Sequence, residues 1–321
     1  MSAPPALRVG TRGSALALWQ TERVRRSLSD VGHATERVEI RTTGDMVQHV
    51  PLARIGTVAL FTRQIDEALL AGRIDLGVHS LKDLPTVLPD GIVLAAVSER
   101  EDPSDALVGR GPIRWSDLPR HAEVATSSLR RKAQLLHARP DLRVADLRGN
   151  VDTRLRKLDS ADGWSAILLA AAGLLRLGLG DRIGERLPSE VMLPAPGQGA
   201  LAVTARADDA RAIEAAQVAV HHRPSALAVG AERAFLRRME GGCQVPVAAL
   251  GALAGDTLRL HGRVIALDGS RMAEGHESAR IHEVDDAERL GTALAERLIQ
   301  EGAAEILAEV RTAHAPSVTE P

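Results

Sequence analysis

The sequence predicts an α/β protein, with two successive α/β units followed by a smaller α+β unit. Three observations carry this expectation. Over the first hundred residues short apolar strand candidates alternate with helical patterns. The same alternation resumes beyond a charged stretch containing Pro103, and the last hundred residues change order, placing a helix before an antiparallel hairpin and a second helix after it. A chain of 321 residues is long enough for two or three domains.

Strand-like "LRVG" from Leu7 leads into the loop "TRGS" and a helical stretch that places Leu16, Trp19 and Arg23 along one face; "RVEIRTT" follows as a strand. Phe61, Ile65, Ala68 and Leu69 have helical spacing, Gly72 supplies the stop, and Ile74, Leu76 and Val78 then alternate as a strand. A crossing between units is expected over Ser98–Arg110. Beyond it "AEVATSSLRRKAQLL" reads as strand, Ser/Thr cap and helix, "RVADLRGNVDTRLRKL" repeats that order, and "WSAILLAAAGLLRLGL" gives a third instance. The Pro/Gly-rich "LPAPGQGAL", 193–201, marks a second crossing. Ser225 is placed as the cap of a helix carrying Leu227, Ala231, Phe235 and Met239 on one stripe, ended by Gly241 and Gly242 and followed by the strand "CQVPVAAL". "TLRLHGRV", the turn "LDGS" and "RMAEGHESARI" read as a hairpin, and Leu290, Leu294 and Leu298 line one face of a final helix. No internal repeat of fixed period is visible. The expected division is 1–100 with 198–218, 101–197, 219–313 and a tail, 314–321.

Composition narrows the function. Apolar and charged fractions of 45% and 26% are those of an ordinary globular protein. A net charge of −2 with only 2% aromatics argues against nucleic acid as a partner. The longest apolar run is interrupted by Arg176 and too short to span a bilayer, the N-terminus lacks a signal-peptide pattern, and a single cysteine, Cys243, cannot form an internal disulfide. A cytoplasmic location away from membranes is expected.

The arginines are the most informative pattern. Arg12 lies in a strand-to-helix loop, Arg130 and Arg131 follow Thr126-Ser127-Ser128 at a helix start, and Arg148 precedes Gly149 and Asn150 at another strand end. A helix dipole disfavours cations in its first turn, so their recurrence there points to an anion bound from outside, helped by capping hydroxyls such as Ser14 and Ser128. A lone arginine of this kind reads as a solvated charge; several on two α/β units ask for a ligand with several negative groups. Asp83 in "VHSLKDLP" follows a strand beside Lys82 and fits either a general acid/base or a cap on the turn before Pro85. Cys243 in "EGGCQVP" is an inert small hydrophobe, a thiolate nucleophile or a covalent anchor, with two glycines leaving backbone room. No spacing for a zinc site or a dinucleotide fingerprint occurs, and no metal is expected.

"TRGSALALWQ", "GVHSLKDLP", "EREDPSDAL", "TSSLRRKAQL", "LRGNVDTRLRKL", "LAAAGLLRLGL", "LPAPGQGAL" and "GGCQVPV" together resemble, in order and spacing, the porphobilinogen deaminase family over about Leu7 to Val310. The resemblance implies two α/β domains like those of periplasmic binding proteins around a cleft, and a third carrying the cofactor cysteine. It implies a transferase that condenses four porphobilinogen molecules, with loss of ammonia, into hydroxymethylbilane on a dipyrromethane primer joined by a thioether to the position of Cys243. By the same resemblance Asp83 is the catalytic carboxylate, stabilising the cationic azafulvene left when ammonia departs. By that resemblance too, Arg12, Ser14, Lys82, Ser128, Arg130, Arg131, Arg148, Arg154 and Arg176 hold cofactor and substrate carboxylates, Gln198 lies near the cofactor, and Phe61 stacks. A monomer is expected, binding porphobilinogen and the growing polypyrrole chain and passing its product to a cyclising synthase. One departure is visible: the family's lysine-rich loop reads "RIGTVALF" here, with Arg54 at the first lysine and Val58 at the second. A solute-binding or effector-sensing protein is the competing reading, because two α/β units around an anion site serve both.

Overall fold

A computed structural model describes residues 5–42, 62–160, 163–239 and 245–314. The chain first forms β1 (Leu7–Thr11), α1 (Ala15–Asp30), β2 (Thr35–Glu39), α2 (Arg63–Leu70), β3 (Leu76–Ser80), a 3-10 turn at Leu81–Asp83 and β4 (Ile92–Val97). It crosses into β5 (Asp105–Val108), β6 (Glu123–Ala125), α3 (Leu129–Ala138), β7 (Arg143–Ala145), α4 (Val151–Ser160), β8 (Trp164–Ala170), α5 (Ala171–Arg176) and β9 (Glu185–Arg186). It returns as β10 (Leu201–Arg206) and α6 (Ala210–Val220). The last part is α7 (Arg223–Arg238), β11 (Val247–Ala254), β12 (Thr257–Ile265), β13 (Met272–Arg280), α8 (Val284–Leu298), a π turn at Ile299–Ala303 and α9 (Ala304–His314).

The first sheet has the order β2-β1-β3-β10-β4 and the second β7-β6-β8-β5-β9. Both follow one plan: three parallel strands with the earliest in the middle, then an antiparallel strand contributed by the segment that has just crossed over. The repeat lies in connectivity, so no fixed sequence period marks it. Period-two side chains fill both faces of the second sheet: Ala106, Val108, Ile167 and Leu169 pack on Leu155 and Leu158 of α4, while Leu107, Val124 and Leu168 pack with Leu135 of α3. In the first, Val9, Leu76, Val78 and Val203 meet Val24 and Leu28 of α1 and Ala212 and Ala216 of α6. The third sheet, β11-β12-β13, is an antiparallel meander under α7 and α8, centred on the fully buried Phe235. Those helices approach so closely that a Cβ on Gly291 would lie 2.1 Å from the carbonyl oxygen of Ala231.

Five local expectations are corrected or refined. The stretch Ser98–Arg110 is not all crossing, because its segment "DALV" is the fully buried strand β5. The cap of α7 is His222, whose Nδ1 accepts from the amide of Ser225; Pro224 suits the first turn, and Ser225 Oγ instead accepts from the amide of Arg100. The buried face of α1 is Ala17, Gln20, Thr21, Val24 and Leu28. Leu16 and Trp19 face the second unit instead: a Cβ on Gly173 of α5 would lie 3.7 Å from Leu16 Cδ2, and the guanidinium of Arg176 sits 5.8 Å from the Trp19 ring centroid. β11 begins at Val247, after Val245 and Pro246, and α9 extends the chain past the anticipated last helix.

Candidate active site at the carboxyl edges of two sheets

Topology gathers the candidate residues. β1 and β3 run parallel, so Arg12 and the turn holding Lys82 and Asp83 lie at one edge of the first sheet. β10 runs the other way, and its approach, 197–200, reaches that edge: Leu81 N donates to Ala200 O at 3.0 Å. In the second sheet the ends of β6 and β7 lead to the first turns of α3 and α4, and β5 is antiparallel, which puts its first residue, Asp105, at the same edge. Open α/β sheets bind ligands at such carboxyl edges.

Asp105 is the hub. It is 0% exposed. Arg130 donates to its Oδ2 at 2.7 Å, Arg131 to Oδ1 through Nε at 2.9 Å and an NH2 nitrogen at 2.6 Å, and Gln198 Nε2 to Oδ1 at 3.1 Å. Burial works to raise the Asp105 pKa, but Arg130 and Arg131, aided by Lys82, outweigh it and hold the carboxyl far below the usual range. Arg130 and Arg131 also donate to the carbonyls of Leu193 and Leu168, at 2.7 and 2.9 Å. The anion they first meet is therefore internal. Nothing in the local pattern of Asp105 marks it, since its partners lie 25 residues and more away.

Lys82 Nζ donates to Gln198 Oε1 at 3.0 Å, linking the two sheets. Burial first, then Arg131 and Arg130, push its pKa down to about 8 against the opposing fields of Asp83 and Asp105. Arg154, in the first turn of α4, donates to Gly149 O at 2.7 Å; burial, then Arg131 and Arg148, lower it to about 10, while Asp83 opposes them. Burial also lowers Arg148. Asp83 thus lies within the fields of both Lys82 and Arg154. Ser14 and Ser128 cap α1 and α3, each hydroxyl accepting from an amide at 3.4 Å. Arg12 bears on buried His79. Arg176, in the last turn of α5, donates to Gly199 O at 2.5 Å, and burial lowers it to about 10. Lys82 and Arg154 lie in the fields of both Asp83 and Arg131, Arg148 bears on Arg154, and Arg130 and Arg131 share Asp105 as a buried counter-anion; this excess of positive charge suits a ligand bearing several carboxylates. Cys243, Phe61, Arg54, Val58, Gly241 and Gly242 lie outside the described residues.

The family model "Porphobilinogen deaminase, dipyromethane cofactor binding domain" matches residues 7–214, and "Porphobilinogen deaminase, C-terminal domain" matches 226–300. The chain belongs to the porphobilinogen deaminase family. It is similar to the porphobilinogen deaminase of Geobacter metallireducens, 50% identical over 310 residues that cover 96% of each chain. It is also similar to that of Desulforudis audaxviator, 52% identical over 307 residues, covering 94% of this chain and 97% of the other. Among solved structures it is similar to a periplasmic substrate-binding protein of an ABC transporter from Coxiella burnetii, at 16% identity and a TM-score of 0.43, covering 71% of this chain and 96% of that one. As a porphobilinogen deaminase the chain is an enzyme, a transferase of porphyrin biosynthesis working with a dipyrromethane cofactor. Among the described residues no helix is long and apolar enough to cross a membrane.

Proposed function

We infer that the junction of the two sheets is where this porphobilinogen deaminase assembles hydroxymethylbilane from four porphobilinogen molecules, with Asp83 as the catalytic carboxylate. The carrying observation is the set of cations drawn from both sheets: Lys82 and Arg154 in the field of Asp83, joined through Arg131 to the pair that Arg130 and Arg131 make with the buried carboxylate of Asp105. Pyrroles bearing acetate and propionate groups fit that charge, and a dipyrromethane bound there supplies the pyrrole end from which the chain grows. Lys82, Arg130, Arg131, Arg148 and Arg154 hold carboxylates, with Arg12, Arg176, Ser14, Ser128 and Gln198 completing the walls and Phe61 stacking. Asp83 accepts pyrrole N–H groups, stabilises positive charge as ammonia leaves the substrate, and takes the proton released on coupling. Cys243 is the attachment point. The same reading has the enzyme acting in the cytoplasm as a monomer that hands its product to a cyclising synthase.

Two measurements test this. The intact mass of the purified protein should exceed the chain mass by a dipyrromethane, and the protein should colour with Ehrlich's reagent; holoprotein at the bare chain mass would remove the cofactor assignment. Asp83→Asn should retain that colour yet lose turnover by on the order of 10²- to 10⁴-fold. Near-parental turnover would take Asp83 out of the chemistry.

A further inference from the structure

We propose that Asp105 is a positioning residue for this reaction, a buried carboxylate that holds ligand-binding cations of both sheets in one fixed constellation and keeps their mutual repulsion from dispersing them. The proposal rests on the reading of Lys82, Arg130 and Arg131 as carboxylate ligands. Its geometry is direct. One Asp105 oxygen takes an Arg130 bond of 2.7 Å; the other takes two from Arg131, at 2.9 and 2.6 Å, and one from Gln198 at 3.1 Å. Gln198 then passes the constraint on, because its amide oxygen accepts from Lys82 on the first sheet at 3.0 Å. Gln198 Nε2 is also fixed by Pro103 O at 2.7 Å, so the relay cannot swing. A carboxylate hydrogen-bonded at both oxygens to guanidiniums of adjacent residues dictates where their remaining N–H groups point. Asp105 does not face solvent, which separates its role from that of Asp83.

Among the described residues, the charges that act most strongly on Lys82 are Arg130 and Arg131 from α3, Asp83 from its own turn and Asp105 from β5. Removing Asp105 leaves the two arginines less opposed, so Lys82 gives up its proton at a lower pH. Carboxylate binding is then lost earlier as pH rises, and kcat/KM, which follows the free enzyme, reports it.

The test uses holoenzyme. Asp105→Asn keeps the size of the side chain; its KM for porphobilinogen should rise about tenfold, the scale expected when ligand groups are displaced by a fraction of an ångström to an ångström. The alkaline limb of its kcat/KM profile should move to lower pH. Asp105→Glu keeps the charge but shifts it by a methylene, so KM should again rise while the alkaline limb stays. Asp75→Asn is the comparison: Asp75 pairs with Arg8 at 2.7 Å ahead of β3, at the opposite edge of the sheet, and its loss should lower Tm without moving KM or the profile. If Asp105→Asn shows only a lower Tm, with parental KM and pH profile, the proposal is overturned. If Asp105→Asn fails to fold, Asp105→Glu decides: a raised KM supports positioning and a parental KM overturns it. Lys82→Ala with a parental KM would overturn the underlying assignment of the cations, whereas an impaired Lys82→Ala beside a parental Asp105→Asn would overturn the positioning role alone.

Discussion

His79 sits on β3 at 5% exposure, with Nε2 3.3 Å from Thr204 Oγ1. Burial, and then the charge of Arg12, push its pKa down to about 4. The unfolded chain takes up this proton near pH 6.5 and the folded chain only near 4, so between those values the unfolded state binds more protons. Stability is therefore lost as pH falls from about 6.5 towards 4, by up to about 3 kcal/mol. His79→Gln can keep a bond to Thr204 without titrating, and urea unfolding at pH 7 and pH 5 should show a smaller drop for it than for the parent. Equal drops would exclude His79 as the source. Asp75, Asp102 and Asp105, all held below the usual carboxylate range, contribute their losses at lower pH. At this scale the gathering of Lys82, Asp83 and the arginines is legible in sequence, because they follow strand patterns that end at one edge. Its buried supports are not: Asp105 and Glu232 look like ordinary charges in "DPSDAL" and "GAERAF", and only distant partners give them meaning.

The crossing segments are the elements on which the site depends, and Gly199 is where they touch. It has φ +93°, and a Cβ there would lie 2.2 Å from the carbonyl oxygen of Glu101, a backbone atom whose own amide donates to Gly199 O at 3.0 Å. That carbonyl of Gly199 also accepts from Arg176. Gly199→Ala should therefore cost about 2 kcal/mol or more in urea unfolding and should displace Arg176; an unchanged urea midpoint would mean the crossing relaxes freely. The glycine-rich "PGQGAL" announces a crossing, but the contact that makes Gly199 necessary lies in the other crossing and leaves no local mark. The same distance hides β5, since four apolar-leaning residues after a charged run read as loop until β8 and β9 are seen to flank them. The capping error at α7 has a different cause: a histidine one residue ahead of Arg223-Pro224 is a weaker local signal than Ser225, whose hydroxyl is already engaged by Arg100.

At the scale of the whole molecule, Glu232 joins the last unit to both crossings. It is 0% exposed on α7 and accepts from Arg100 at 2.5 and 3.2 Å in the first crossing, from Gly197 N at 2.7 Å in the second, and from Gly251 N at 2.7 Å in β11. Arg100 also donates to Gln198 O at 2.8 Å, so this ion pair borders the site relay. The third sheet reaches the second unit separately, through Arg263 to Gln134 Oε1 at 2.8 Å. A buried carboxylate stripped of its only cationic neighbour among these partners is an uncompensated charge, whose typical cost is about 3–5 kcal/mol. Arg100→Met should thus lower stability by that order, and Arg100→Met with Glu232→Gln should recover part of it, since the charge is removed while one of the two backbone amides, which bond to different carboxylate oxygens, keeps an acceptor. Calorimetry should show one cooperative transition for the parent and an earlier, separate melting of the C-terminal unit in the single variant. A double variant no more stable than the single one would place the energy in the geometry of Arg100 rather than in its charge, because neutralising Glu232 then relieves nothing.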